Sequence, residues 1–145
     1  MKRMILTGIL AIGTGASCLL AQAPKGPAPK SKGELEALQA LQAAGNDPDK
    51  QIAASENLIT KFADTDFKSV ALFIEADAYQ RKGDFEHMVV FAERTLEADP
   101  KDFRATLMLA NYYASHTREN DLDREEKLGK AEKYANQAWI ERFLL

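Results

Sequence analysis

"SVALFIEADAYQRKGDF" (Ser69–Phe85) and "FRATLMLANYYASH" (Phe103–His116) decide the architecture of this chain, because they align at a distance of 34 residues. Leu72, Glu75, Ala76 and Tyr79 in the first recur as Thr106, Leu109, Ala110 and Tyr113 in the second. A period of this length with helix–turn–helix character marks stacked helical hairpins, each too small to bury its apolar face alone. Stacks of this kind present an extended surface that binds other proteins. The register therefore predicts a binder and is silent on what is bound.

Outward from the repeat, local punctuation bounds each helix. Ser31 with Glu34 forms a capping-box pattern, and Leu35, Leu38 and Leu41 recur every three residues until Gly45-Asn46 ends the helix. Asp47-Pro48 opens a second helix, with Ile52, Ser55, Ile59 and Phe62 on one face and Leu58 beside them. After a break at "ADTD" (Ala63–Asp66), a third helix runs from about Phe67 to Lys82 and stops at Gly83. Asp84 opens a fourth, with Phe85, Met88, Val89, Ala92 and Leu96 at spacings of three and four. "DPKD" (Asp99–Asp102) separates it from a fifth that ends near His116. The polar "TRENDLD" (Thr117–Asp123) leads to a last helix opened by Asp123, with Glu126 three residues on. No segment alternates like a strand. The expected fold is an all-α solenoid of three antiparallel hairpins, about 33–66, 67–100 and 102–145.

These segments resemble tetratricopeptide repeats. "KGDFE" (Lys82–Glu86) is similar to that family's inter-helix turn, and "TLEADPKD" (Thr95–Asp102) to its closing segment, so Ser69–Asp102 resembles one full unit. The next starts at Phe103 and resumes with "KAEKYANQA" (Lys130–Ala138), where Ala131, Ala135 and Ala138 match packing positions. Ala131 arrives nine residues late, so an insertion lies around His116–Glu126. Ser31–Phe67 resembles a third, more degenerate hairpin. In such a unit small Ala76 and Ala110 allow close helix approach, while Tyr79 and Tyr113 fill the wedge near the turn.

Two positions depart from the family pattern. Met88 and Ala92 invert its small-then-aromatic order. Glu75 stands where the family has an apolar residue, and burying an unpaired carboxylate is costly. Either Ile74 takes over the packing role, or Glu75 faces the groove with a cationic partner such as Arg104.

The N-terminus carries a different signal. Met1-Lys2-Arg3, an apolar centre "MILTGILAIG" and the small residues of "LLAQA" make residues 1–21 an expected signal peptide cut after Ala21. The alternative is a retained anchor, since Met4–Ala23 is an uncharged run of 20 residues. Cys18, the only cysteine, follows "GAS" as in a lipoprotein signal, and its lipidation would attach the chain to a membrane. Otherwise no membrane contact is expected. Residues 22–32, rich in proline and lysine, read as a flexible linker. Export implies a periplasmic or secreted protein, or a lipid-anchored one if Cys18 is modified.

Composition narrows the chemistry. Removing Lys2 and Arg3 from 19 basic residues leaves 17 against 22 acidic, a mature charge of −5. No basic face for nucleic acid is expected. His87 and His116 are the only histidines, and neither is read as having a second metal ligand in helical reach. No Gly-x-Ser-x-Gly elbow or phosphate-cradling glycine loop occurs, and "NDLDREE" (Asn120–Glu126) lacks the glycine of a calcium loop. No enzyme, cofactor or metal site is expected.

In the tetratricopeptide family the first helix of each hairpin lines the concave face. The resemblance thus implies partner binding by Phe73, Asp77, Gln80 and Arg81, then Arg104, Met108, Asn111 and Ser115. That mixture suits a protein or peptide partner held through backbone and apolar contacts. A second surface is "WIERFLL" at the C-terminus, where Trp139, Phe143 and Leu144 form an apolar stripe in place of a polar cap. The stripe either packs back on the fifth helix or forms an edge for self-association. "FADTDF" (Phe62–Phe67) resembles connectors of bacterial envelope repeat proteins, which implies a scaffold in the cell envelope. The alternative is a structural subunit assembling into a homo-oligomer through its last helix.

Overall fold

The computed structural model describes residues 26–143. The expected signal segment, Cys18 and the first residues of the linker lie outside that range, as do Leu144, Leu145 and the side chain of Phe143. Among the described residues the chain forms six helices and no strand: α1 (Lys32–Ala43), α2 (Pro48–Lys61), α3 (Lys68–Lys82), α4 (Phe85–Ala98), α5 (Phe103–Ser115) and α6 (Arg124–Phe143). Consecutive helices pack on one another in three hairpins, stacked in chain order. None of the six is long and apolar enough to cross a membrane.

Capping chemistry sets the helix boundaries. Ser31 Oγ accepts the Glu34 N–H at 3.1 Å, Asp47 accepts that of Lys50 at 3.2 Å, and Asp84 that of His87 at 3.2 Å. Asp102 Oδ1 accepts two, from Arg104 and Ala105. Each satisfies donors that a helix start leaves without an intrahelical partner. The end of α3 is a Schellman closure: Gly83 takes φ +73°, its N–H bonds Gln80 O, and the Asp84 N–H bonds Tyr79 O at 3.0 Å. That geometry is the physical content of the "KGD" turn.

Two apolar clusters share α3. Ala37, Leu41, Leu58 and Ala71 form one, with Ile59, Phe62, Phe67 and Ile74 packed on it. Ala76, Met88, Ala92, Met108, Leu109, Ala110, Tyr113 and Tyr134 form the other, joining α3 to α6. Leu58, Leu72, Met88 and Leu109 are fully buried, each contributing roughly 1.5–3 kcal/mol of apolar transfer. The paired register extends into the second helices. Tyr79 stacks on Phe91 with centroids 5.4 Å apart, and Tyr113 stacks on Tyr134 at 6.1 Å. Phe91 and Tyr134 stand 43 residues apart, the 34-residue period plus the nine-residue insertion.

The loop carrying that insertion is held by Lys127, whose Nζ lies 3.0 Å from both Asp121 Oδ2 and Asp123 Oδ1. The Arg118 N–H and this ammonium hold Asp121 below the usual carboxylate range. The carboxylates of "NDLDREE" are therefore partly neutralised from within.

The structure corrects the reading of several residues. On α1 the buried stripe is Glu34, Ala37 and Leu41, while Leu35 is 43% exposed. A three-residue step turns about 300° on an α-helix, so Leu35, Leu38 and Leu41 drift across 120° and cannot share one narrow face. Glu34 does not return to the Ser31 N–H as a capping box would. Its Oε2 accepts the Lys30 N–H at 2.5 Å, and its Oε1 accepts the Thr65 hydroxyl at 2.5 Å. Lys30, read as flexible linker, is docked on the α2–α3 connector: its Nζ bonds Asp64 O and lies 3.0 Å from Asp66 Oδ1.

Candidate functional site

The face shared by α3 and α5 presents four of the eight expected binding residues, in unequal roles. Gln80 and Asn111 are exposed, on successive units. Phe73 is half-buried, and the Arg104 guanidinium covers its ring at 4.3 Å from the centroid. Asp102 fixes that guanidinium from its own helix start, through Oδ1 to Nε at 3.2 Å and Oδ2 to Nη2 at 2.6 Å. A two-point fork of this kind orients the planar group as well as neutralising it.

The other four bond or pack within the chain. Arg81 Nη1 donates to Asn46 O at 2.8 Å, Nη2 to Gln51 Oε1, and Nε to Asp77 Oδ2 at 2.9 Å. Arg81 and Asp77 thus tie the end of α3 to the α1–α2 turn, with Lys82 bonding Asp49 alongside. Cations at this position also suit the negative end of the α3 dipole. Met108 is buried in the second apolar cluster, so it packs rather than lining an open face. The Ser115 hydroxyl donates back to Asn111 O at 2.7 Å, a bond within its own helix.

Ile74 packs on the first apolar cluster, yet Glu75 does not face the groove with a cationic partner. It is fully buried, both carboxylate oxygens lack a hydrogen-bond partner, and Arg104 is engaged elsewhere. Desolvation is the main reason its pKa is raised to about 7, with repulsion from Glu56 adding and Arg94 opposing. Ser55 on α2 is likewise buried with an unpartnered hydroxyl. Stacking against α2 and α4 at once leaves α3 no solvent-facing position at Glu75, which the 34-residue alignment alone does not reveal.

The histidines lie in aromatic contacts. His87 stacks on Tyr79 with centroids 4.8 Å apart, and its Nδ1 lies 2.8 Å from Asp84 Oδ2. That pairing corrects the reading of His87 as lacking a second ligand in reach, although Asp84 is at the same time the cap of α4. His116 packs against Phe85 and Tyr112 at 4.5 and 4.6 Å. Among the described residues no three His, Cys, Asp or Glu side chains converge as a metal-binding group would require.

Clefts bordered by the described residues open on the stack. One of about 440 Å³ lies where Thr65, Lys68 and Ser69 face Arg94 and Glu97. A second, of about 340 Å³, lies between α4 and α6 beside Tyr134. The Tyr134 hydroxyl donates to Glu93 Oε1 at 3.3 Å, and burial pushes its pKa up to about 12. A third, about 510 Å³, separates α5 from α6 and is walled by Leu107, Ala131, Ala135 and Trp139. Of the expected C-terminal interface residues, Trp139 is 59% exposed on this cleft. The sequence signal for it was the small-residue series Ala131, Ala135 and Ala138, which reads equally as internal packing. No family model, curated protein or solved structure matches the chain.

Proposed function

We propose that this chain is a non-catalytic scaffold of tetratricopeptide-repeat type that binds a protein or peptide in the bacterial cell envelope through the face shared by α3 and α5. The observation that carries this reading is the preset Phe73–Arg104–Asp102 arrangement together with two exposed amides, Gln80 and Asn111, each seven residues further along α3 and α5. The amides supply donors and acceptors for a partner's main chain, and the covered ring supplies apolar contact. Because Asp102 already neutralises Arg104, the face favours an extended main chain over a free carboxylate. The apolar, positively started segment at 1–21 supports export.

The test is affinity capture from an envelope extract of the source organism. Wild-type chain is compared with the Arg104→Ala, Asn111→Ala double variant, and far-UV circular dichroism confirms equal helicity. A partner retained by wild type and lost from the variant is the expected result. Equal recovery of the same partner on both would overturn the assignment of the face.

A further inference from the structure

The outer face of the middle hairpin is covered by the next one: Ala76, Met88 and Ala92 pack beneath Met108, Leu109, Tyr113 and Tyr134. One unit later the corresponding residues are Ala110, Ala131 and Ala135, and all three line the α5/α6 cleft. On its rim Leu107 is 41% and Trp139 59% exposed. The last hairpin thus repeats a surface that, one unit earlier, receives helices.

We propose that a second copy of this chain covers the cleft, the two α5/α6 faces meeting about a twofold axis with their α6 helices antiparallel. A head-to-tail stack is disfavoured by the opposite end of the molecule. There α1 exposes Lys32, Glu36, Gln39 and Gln42, with Leu35 its one large exposed apolar residue. An apolar face with no apolar counterpart at the other end matches itself, and that is an isologous contact. The alanines let the two α6 helices approach closely.

Charge selects the orientation. Glu132 and Arg142 both line the cleft and stand ten residues apart on α6, about 15 Å at 1.5 Å per residue. With α6 antiparallel and the axis midway between them, each Glu132 meets Arg142 of the second copy. The parallel arrangement sets Glu132 on Glu132 and Arg142 on Arg142, and like charges across an interface are strongly unfavourable. The proposal is independent of the α3/α5 face.

The experiment uses the full chain in sedimentation equilibrium. Wild type should dimerise. Glu132→Arg alone and Arg142→Glu alone should each raise the dimer Kd about tenfold or more, and the double reversal should restore it. In a Cys18→Ser background, Ala135→Cys should cross-link two copies with a short thiol-specific reagent, while Gln39→Cys on α1 should not. Circular dichroism confirms that each variant keeps its helicity. A strict monomer at about 100 µM leaves the cleft to another protein's helix and overturns the proposal. So does a dimer indifferent to both single charge reversals, or one cross-linked through Gln39→Cys.

Discussion

Arg104 holds its guanidinium 4.3 Å from the ring centroid of Phe73 while Asp102 grips two of its nitrogens, so one side chain joins α5 to α3 and to its own helix cap. The two attachments differ in stability content. The arginine side chain is half exposed, which limits the ion pair and ring contact to about 1 kcal/mol. Asp102 is buried and accepts the Arg104 and Ala105 N–H groups besides. Arg104→Ala should therefore lower unfolding stability by no more than about 1 kcal/mol, and Asp102→Ala by about 1–2 kcal/mol. Urea midpoints of the two variants provide the check, and equal losses would contradict the separation of cap from platform.

Glu75 makes stability depend on pH in a direction set by its raised pKa. A carboxyl that ionises near 4.5 when unfolded and near 7 when folded keeps, in the folded chain, a proton that the unfolded chain releases. Stability at this site is then full below about pH 4.5 and falls as pH rises toward 7, by on the order of 2–3 kcal/mol. Glu75→Met should exceed wild type in stability at pH 8, with the gap narrowing toward pH 4.5. Denaturant titrations at several pH values measure it. Parallel wild-type and variant curves would mean that Glu75 ionises normally.

Glu34 and Thr65 tether α1 to the rest of the stack across 31 residues of chain. Both are buried, and the carboxylate receives its two side-chain-directed bonds from the Thr65 hydroxyl and the Lys30 N–H. Thr65→Val keeps the shape but removes both the donor to the buried Glu34 carboxylate and the acceptor of the Phe67 N–H. The first loss costs about 1.5–3 kcal/mol. The loss should fall on α1 first. Hydrogen exchange should accelerate in α1 and leave α4 and α5 unchanged. Uniform acceleration across all helices would show that α1 does not open separately.

Helix ends were readable in the sequence because capping is local chemistry. Ser31, Asp47, Asp84 and Asp102 each accept the N–H groups that their spacing to the following helix predicts. The repeat register was equally visible, since Ala76 and Ala110 are both buried and Tyr79 and Tyr113 both meet an aromatic ring from the second helix of their hairpin. What escaped depends on a third helix. Glu75 is interior because α2 and α4 close on it together, and Met108 is buried because the face above it belongs to two hairpins at once. Arg81 reads as a surface cation, yet its partners Asn46 and Gln51 are 35 and 30 residues away. Periodicity along one helix reports a buried direction without saying which distant side chains occupy it.

Gly83 isolates the backbone contribution to the family-like turn. Its φ of +73° lies where L side chains are strained, and a Cβ added there would meet nothing within 4 Å. Substitution is therefore penalised by conformation alone, with no packing clash. Gly83→Ala should lose about 1–2 kcal/mol, and Gly83→Asn less, because asparagine tolerates the left-handed region better. The same change at Gly26, where φ is not positive and nothing lies within 4 Å, should leave stability unaltered. Thermal unfolding of the three variants orders them as Gly26→Ala, Gly83→Asn, Gly83→Ala from most to least stable. An unchanged midpoint for Gly83→Ala would show that the Schellman closure between Tyr79 and Asp84 does not hold the turn, and that the α3/α4 interface sets the hairpin angle by itself.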